Sequence, residues 1–478
     1  MGESCEADWA EEEFGGAELG DRRRTRRVVS IGRALVAAPA GRVTQVFRKN
    51  AEQQGVYDLL SNQSVSRAAL GAAMSDACFQ RFRDVAGGKR MPVVVAFDGS
   101  SIGVPDHTGR KDLGVVGNYR NAGRGLQVLT ALALTVDGTP VGVAAQRYWS
   151  RPKKKPRRMR THWRKTKAKE TQHTIDLLHD VADSAARFPE LHLVFVGDRG
   201  NDAAPVMLEV TELQQAFVIR ACRARLTARE GNERNRRYMR DRVARSKSVG
   251  CYALDVRAGH RRAARTAHME VRAVPVTLVI QDRYAKKQSL FTTNVVHAVE
   301  RGTVPHGEKP LDWMLLTNCP ADGLGEAMQV IDLYALRWRI EEFHRTWKTG
   351  TCNVEDSRLH TASRLEKWAT LLAAVATRIE RLKQLSRREP DAPASRELTA
   401  YEIKALLWLK RKYKKRNEVI PDATPNMRDA VKWIAEMGGY TGYGGPPGSV
   451  TIGRGFADVL ILAEYLRDQD EPETPSEM

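Results

Sequence analysis

The sequence predicts an α/β protein whose two ends are helical. Helical periodicity dominates the first 88 or so residues, strand-like β-branched runs begin at Met91, and helical periodicity returns from about Leu324. A largely β segment at about residues 213–317 interrupts the α/β region. We therefore expect three domains: a helical domain over 1–88, an α/β core with a β insertion over 89–362, and a helical domain with a disordered tail over 363–478.

Charge and composition narrow the class of partner. The 478 residues contain 77 Lys and Arg against 58 Asp and Glu, a formal net charge of +19, which indicates a polyanionic partner such as nucleic acid. No apolar run approaches the length of a membrane span, and the N-terminus is acidic, so we expect a soluble, unexported protein. The six widely spaced cysteines indicate neither a disulfide framework nor a zinc site.

The N-terminal segment contains an arginine-rich helix. From Asp21 to Ala38, apolar residues recur on one face, and Asp21 is placed to cap the helix. Cations at a helix start oppose its dipole, so a structural role explains them poorly. We expect DNA contacts from three of the five arginines in the first turns, namely Arg23, Arg24 and Arg27. Two further helices are predicted near 51–60 and 66–85.

The core places a carboxylate at the end of two predicted strands. PVVVAF reads as a buried strand that ends at Asp98-Gly99-Ser100, and the strand Leu191–Gly197 ends at Asp198. Between them lie a hairpin around Asp-Gly-Thr-Pro and a helix over 170–186. Sites form at such strand ends in open α/β sheets, although a strand-end Asp is also common as a turn or cap residue.

A basic tract follows the hairpin. Residues 151–169 contain eleven Lys and Arg with no acid, and Trp163 lies among them. The tract reads as a surface loop in the free protein that can neutralise phosphates on DNA.

The helix predicted over Leu324–Lys348 contains a mixed polar stripe. Tyr334, Arg337, Glu341 and Lys348 fall on one face at 100° per residue. The stripe is either a solvated, ion-paired surface or part of a site. Further helices are predicted over 365–385, over 399–413 leading into the basic KRKYKKR, over 426–437 and over 456–467.

Three carboxylates at one sheet edge suit metal-dependent phosphoryl transfer. Asp98, Asp198 and Glu341 could hold two divalent ions roughly 3.5 to 4 Å apart, and ligation by oxygen alone favours Mg²⁺ or Mn²⁺ over zinc. Tyr334, Arg337 and Lys348 could then hold phosphates of bound DNA.

The same residues carry a family resemblance. The spacing Y-(2)-R-(3)-E-(6)-K, within I-D-x-Y-x-x-R-W-R-I-E-E-F-H-x-x-W-K-T-G, resembles bacterial insertion-sequence DDE transposases of the IS-four family, in its Tn-five-like branch. The N-terminal L-G-D-x-R-R-T, the D-G-T-P hairpin, V-G-D-R-x-x-D and the C-terminal R-G-F-A-D-V-L-I-L-A-E-Y-L are also similar, so the resemblance covers nearly the whole chain.

The resemblance implies a fold, a reaction and partners. The core would be ribonuclease H-like, with Asp98, Asp198 and Glu341 as the metal triad and Trp313 stacking a flipped base. The activity would be cut-and-paste transposition: end nicking, hairpin formation and opening, and strand transfer to target DNA. It would use two Mg²⁺ per active site, with Mn²⁺ able to substitute. The partners would be terminal inverted repeats, target DNA and a second copy of the chain, in the bacterial cytoplasm at the nucleoid.

Two other functions remain open from the residues. One is a ribonuclease H-class nuclease, although Trp313 and a dimerisation-like tail are not needed for simple hydrolysis. The other is a catalytically impaired or domesticated DNA-binding relative acting as a repressor. The family often has D-T-T where this chain has Asp98-Gly99-Ser100, and D-R-E-x-D where it has D-R-G-N-D at 198–202. These changes leave both expected ligands in place but alter the residues that would support them, which keeps the impaired relative open as an alternative.

Overall fold

The structure is a computed structural model that places most of the chain in two compact units. It describes residues 8–106, 112–117, 123–151, 170–231, 233–259, 262–281, 288–414 and 416–470. The first unit contains residues 1–88, 99–166 and 339–478, and the second contains 89–98 and 167–338. Cys5, all of the basic tract except Arg151, and the predicted disordered tail lie outside the described residues.

Helices form the N-terminal part of the first unit, as expected. They are α1 Trp9–Phe14, α2 Arg22–Ala37, α3 Val43–Val46, α4 Asn50–Ser61 and α5 Arg67–Ala86. The Asp21 side chain caps α2 by accepting a hydrogen bond from the Arg23 N–H (2.9 Å), and Ser66 caps α5 in the same way at Ala69 (3.0 Å). The predicted apolar face of α2 is buried.

Strand β1, Met91–Gly103, runs through both units and is longer than predicted. The expected end at Asp98-Gly99-Ser100 is wrong, because pairing continues the strand past this turn-like sequence. In the first unit the Val104 N–H donates to the Arg124 carbonyl (3.0 Å). A Cβ at Gly125 would lie 1.8 Å from the Ile102 carbonyl oxygen, so only glycine allows this close backbone approach.

An antiparallel meander follows β1 in the first unit. It consists of β2 Gly114–Val116, β3 Gly123–Leu134 and β4 Pro140–Trp149. The predicted hairpin around Asp-Gly-Thr-Pro is confirmed, and Gly138 supplies the positive φ of its turn (+88°). The three-residue β2 was not expected from the sequence.

The second unit contains a mixed sheet. Its elements are α6 Glu170–Ala185, β5 Leu191–Gly197, α7 Ala204–Glu212, β6 Ala216–Arg220, α8 Met239–Arg245, β7 Gly250–Val256, β8 Arg265–Gln281, β9 Gln288–Arg301, β10 Asp312–Thr317 and α9 Leu324–Ala335. The strand order is β1-β5-β6-β10-β9-β8-β7, in which β1, β5 and β6 are parallel and the other pairs antiparallel. The predicted β segment is confirmed, whereas α7 and α8 were missed.

The helix expected over Leu324–Lys348 is two helices. After α9, the chain passes through Leu336 and Arg337 and restarts as α10, Trp338–Lys348. The Leu336 N–H reaches the Leu333 carbonyl and the Arg337 N–H reaches the Tyr334 carbonyl, both three residues back (3.2 and 3.1 Å). Hydrogen bonds to the residue three positions back, one fewer than in an α-helix, tighten the backbone here as they do in a 3₁₀ turn.

Four more helices complete the first unit. They are α11 Ala362–Arg388, α12 Ala400–Lys412, α13 Met427–Met437 and α14 Ser449–Asp470. Helix α11 lies against the N-terminal helices, since Lys367 donates to the carbonyls of Leu60 and Asn62 (both 2.9 Å). Helix α14 begins seven residues before the expected start. Its Gly455 packs so closely on α13 that a Cβ would lie 1.7 Å from the Ile434 carbonyl oxygen.

Two further expectations concern membranes and thiols. Among the described residues, no helix combines the length and apolarity that a membrane span requires. The five described cysteines are free thiols: Cys78, Cys222, Cys251, Cys319 and Cys352.

Candidate active site

Two predicted carboxylates follow paired positions of neighbouring strands in the second unit. Strands β1 and β5 pair in parallel from Met91 with Leu191 to Phe97 with Gly197, and Asp98 and Asp198 come directly after the last pair. Adjacent strands lie about 4.8 Å apart, and residues in register point to the same face. Both carboxylates are half-buried. The structure therefore places Asp98 and Asp198 at equivalent positions of neighbouring strands.

Local contacts hold the end of β5 and the Asp198 side chain. A Cβ at Gly197 would lie 2.8 Å from the Phe97 ring, so glycine lets this ring cover the strand end. Asp198 begins a short 3₁₀ turn. Its Oδ1 accepts hydrogen bonds from the Gly200 N–H (2.8 Å) and the Asn201 amide (3.1 Å). One carboxylate oxygen is thus oriented by the chain itself.

Asp202 anchors the loop that carries Asp198. Its carboxylate is fully buried and forms an ion pair with Arg225 (2.5 Å). Its Oδ2 also accepts from the backbone N–H groups of Cys222 (2.7 Å) and Arg223 (2.9 Å). The sequence pattern D-R-x-x-D contained this residue, but its supporting role emerges only from the partners after β6.

Glu341 and Lys348 lie on one helix of the first unit. They are two turns apart on α10, with Glu341 in the first turn and Lys348 in the last, where the helix dipole favours each charge. The neighbouring Glu342 has a structural role instead, since it accepts from Arg339 (2.9 Å) and from Gln384 of α11 (3.0 Å). Of the two consecutive acids, Glu341 is the candidate ligand.

Lys348 contacts the segment of β1 that follows Asp98. Its ammonium donates to the Ser100 hydroxyl (3.2 Å) and lies 3.4 Å from the Glu355 carboxylate. The same Glu355 oxygen accepts from the Gly103 N–H (3.1 Å). Ser100, the last residue of the D-G-S sequence that stands where the family often has D-T-T, is therefore the hydrogen-bond acceptor for Lys348. Nothing in the sequence pattern had indicated Glu355.

The apolar side of α10 fixes its rotation. His344 is buried against Phe343 and Trp347, and burial, with the nearby Lys348, lowers the pKa of its imidazole to about 3. The ring is therefore neutral at physiological pH and adds no cation beside Glu341. The Trp347 indole N–H donates to the Ala369 carbonyl on α11 (2.9 Å).

Trp313 and Tyr334 form an aromatic pair in the second unit. Their ring centroids are 5.9 Å apart in an edge-on arrangement. Tyr334 is 6% exposed, whereas Trp313, in β10 opposite Ala298 of β9, is half-buried. Tyr334 thus packs on Trp313 here, and Arg337, in the break between α9 and α10, lies over the Trp338 ring (5.8 Å). The four residues of the predicted stripe therefore do not share one continuous helix.

Asp312 fixes the start of β10 beside Trp313. Its carboxylate accepts from Arg240 (2.8 Å) and contacts the His297 imidazole (3.0 Å). Burial opposes its ionisation, but these two partners hold its pKa below the ordinary value.

The three N-terminal arginines differ in their surroundings. Arg23 and Arg27 are exposed, and Arg23 lies 3.5 Å from Asp21. The Arg24 guanidinium instead donates to the Leu19 carbonyl (2.8 Å). Arg23 and Arg27 are therefore available to a polyanion, whereas Arg24 supports the turn before α2.

The metal site stays a prediction. Within the described parts of the chain, no group of three or more His, Cys, Asp or Glu side chains is arranged to hold a metal ion. Asp98 and Asp198 belong to the second unit and Glu341 to the first.

Comparison with protein families decides the class of the protein. Residues 6–65 match the transposase DNA-binding family, and residues 89–378, more than half of the chain, match the transposase DDE domain. The chain belongs to the DDE transposases. The N-terminal match contains the arginines of α2, and the second match contains Asp98, Asp198 and Glu341. The fold expectation is confirmed: the transposase has helical ends around a mixed-sheet core of the ribonuclease H-like class.

Proposed function

We propose that this transposase moves DNA by cut and paste, with Asp98, Asp198 and Glu341 as its catalytic carboxylates. The observation that supports the proposal is the register of β1 and β5, in which Phe97 and Gly197, the residues directly before two of these acids, are paired. The chain would act as a Tn-five-like member of the IS-four family: it would nick an element end, form and open a hairpin, and join the end to target DNA.

The candidate residues fit a divalent metal. They offer only carboxylate oxygens, the donors that Mg²⁺ and Mn²⁺ prefer. Two bound Mg²⁺ would supply Lewis-acid stabilisation of the attacking and leaving oxygens. The chain's own contribution is orientation: Gly200 and Asn201 hold Asp198, and the Ser100 and Glu355 contacts hold Lys348.

The proposed partners are DNA and a second copy of the chain. Terminal inverted repeats would bind through the domain over residues 1–88, and the domain over 363–478 would support a homodimer. The core, 89–362, would act on the element end and the target DNA. We place this reaction in the bacterial cytoplasm, at the nucleoid.

Metal-dependent cleavage of end DNA tests the proposal. Paired inverted repeats are sought in the DNA that flanks the gene and used as substrate, and products are followed on denaturing gels with Mg²⁺, Mn²⁺ or EDTA. We expect nicks and then hairpins with either metal and none with EDTA. Binding without cleavage would instead identify a repressor, and cleavage without hairpin or joined products would identify a nuclease.

Salt dependence tests the N-terminal arginines. Replacing Arg23 or Arg27 with Ala should weaken end binding and lower the slope of log K against log salt by about 0.9 for each phosphate that the protein no longer neutralises. Arg24→Ala is the comparison, because its guanidinium bonds to the Leu19 carbonyl. If Arg23→Ala and Arg27→Ala have the same salt slope as the unaltered protein, neither arginine neutralises a DNA phosphate. Both are then ordinary solvent-exposed surface residues.

Hairpin formation tests Trp313. Extruding a base to fold a strand back costs a few kcal/mol of unstacking, of which an aromatic face recovers about 1 to 3 kcal/mol. Trp313→Ala should leave first-strand nicking nearly normal and slow hairpin formation, by about tenfold for each 1.4 kcal/mol of stacking energy removed. An abasic site at the flipped position should partly rescue the variant. Equal slowing of both steps would show that Trp313 supports only the packing with Tyr334.

A further inference from the structure

The basic segment at the end of α12 divides between the interior and the surface. Seven Lys and Arg and no acid lie between Lys404 and Arg416. Lys410 points inward, where its ammonium pairs with Glu436 (2.7 Å) and Glu418 (2.8 Å). Lys412, Lys414 and Arg416 are exposed, and none of the ion pairs found among the described residues involves them. Of the remaining cations, Lys404 pairs with Asp470 (2.8 Å) and Arg411 with Asp422, so Lys412, Lys414 and Arg416 are the described cations of the segment that face solvent without an ion pair.

Aromatic rings alternate with these cations on one stripe of α12. Tyr401, Lys404, Trp408 and Lys412 are separated by three, four and four residues, so they lie on the same helix face. The Lys412 ammonium lies 5.0 Å from the Trp408 ring centroid and 5.5 Å from that of Tyr413. We call these five residues the α12 ridge.

Two of the three rings of the ridge are open to solvent, whereas Tyr401 is half-buried. Trp408 is 49% exposed and Tyr413 is 65% exposed, although burying such side chains is favourable wherever a core can take them. The opposite face of α12 is buried, with Leu406 fully enclosed and Ile403 and Leu407 nearly so. A ridge of this kind fits a ligand that is both flat and anionic. A second copy of the same ridge fits poorly, because its cations would repel these.

We propose that the α12 ridge binds single-stranded DNA, with unpaired bases stacking on Trp408 and Tyr413 and phosphates pairing with Lys412 and its neighbours. Unpaired bases expose their faces, whereas the bases of a duplex cover one another, so exposed rings beside cations suit a single strand. The ridge lies outside both matched regions, 6–65 and 89–378. The inference rests on the proposed function only in that cutting and joining strands exposes unpaired DNA.

The test uses the full-length transposase and a 20-nucleotide thymidine oligonucleotide. Its affinity is measured by fluorescence anisotropy over a range of salt, and a bromodeoxyuridine version is cross-linked by ultraviolet light and mapped by mass spectrometry. We expect cross-links within residues 401–416. Trp408→Ala should weaken binding by about 5- to 150-fold, the range for one stacked base. Lys412→Ala should lower the salt slope by about 0.7.

Matched controls lie on the same unit. Tyr443→Ala removes another exposed aromatic, and Lys432→Ala another exposed helical cation, and neither should change affinity or slope. Trp408→Phe keeps a ring and should retain most of the affinity, which guards against a folding defect in Trp408→Ala. Cross-links only outside 401–416, together with unchanged affinity of the ridge variants, would overturn the proposal.

Two measurements separate the possible failures. If Trp408→Ala weakens a 20-base-pair duplex as much as the single strand, the ridge recognises the DNA backbone alone and the single-strand assignment is wrong. Nicking of end DNA is scored separately. If the unaltered transposase does not nick end DNA, the proposed function is wrong. Cross-links at the α12 ridge test only the proposal that the ridge binds single-stranded DNA.

Discussion

Asp98→Asn, Asp198→Asn and Glu341→Gln are each expected to abolish metal-dependent cleavage while end DNA remains bound. Each change removes a ligand charge without removing a cation that contacts phosphate, so the loss falls on the chemical step. Cleavage is measured on end DNA with Mg²⁺, and binding by anisotropy with Ca²⁺ in place of Mg²⁺.

Substitution of an exposed acid outside the proposed triad is the control for these three variants. Glu212→Gln alters an exposed acid at the end of α7 and should leave cleavage intact. Full cleavage by one of the three variants would remove that residue from the triad. Loss of binding in parallel with cleavage would indicate a damaged fold rather than a missing ligand.

Asp202→Ala is expected to destabilise the second unit strongly. It leaves the buried Arg225 without its partner and the N–H groups of Cys222 and Arg223 without an acceptor. Removing one partner of a buried ion pair lowers the free energy of unfolding by about 3 to 5 kcal/mol. Urea unfolding followed by tryptophan fluorescence should show this as a lower midpoint, and cleavage should fall because the loop carrying Asp198 loses its anchor.

A double substitution tests whether the unpaired charge of Arg225 causes the loss of stability in Asp202→Ala. Asp202→Leu with Arg225→Met replaces the pair by apolar side chains, and should recover much of the stability that Asp202→Ala loses. Cleavage should recover less, since the backbone N–H groups after β6 still lack their acceptor. Stability of Asp202→Ala equal to that of the unaltered protein would show that the pair contributes nothing to the fold.

Local sequence signals predicted the elements whose causes are local. Asp21 marks the start of α2 because its side chain accepts a free N–H group of the first turn, and this cap is present. The Asp-Gly-Thr-Pro turn likewise determined the β3–β4 hairpin. The sequence also placed Asp98 and Asp198 directly after two apolar strand segments, which the structure pairs in parallel up to Phe97 and Gly197.

Features that depend on distant partners escaped prediction. Residues 326–348 contain no Gly or Pro, so no local sequence signal predicted the helix break at Leu336 and Arg337. Asp98-Gly99-Ser100 looks like a turn, yet strand pairing carries β1 through it. The helix α14 starts inside a Gly-rich segment because its glycines pack against another helix. The Glu355 contact with the Gly103 N–H and the Asp202 contact with Arg225 join residues from different elements, so no spacing rule within one helix or strand relates them.

The contact between Lys348 and Glu355 changes what a phosphate would encounter at this ammonium. Salt weakens DNA binding because a protein cation such as the exposed Arg27 releases the mobile cations condensed on the phosphate that it neutralises. Lys348 already has a carboxylate of its own chain 3.4 Å away, held in place by the Gly103 N–H. A phosphate arriving there meets this carboxylate as well as the ammonium, so the pair neutralises the phosphate less than a lone cation does, and fewer cations leave the DNA. Lys348 therefore carries a built-in counterion, and its contribution to DNA binding should depend on salt less than that of Arg27.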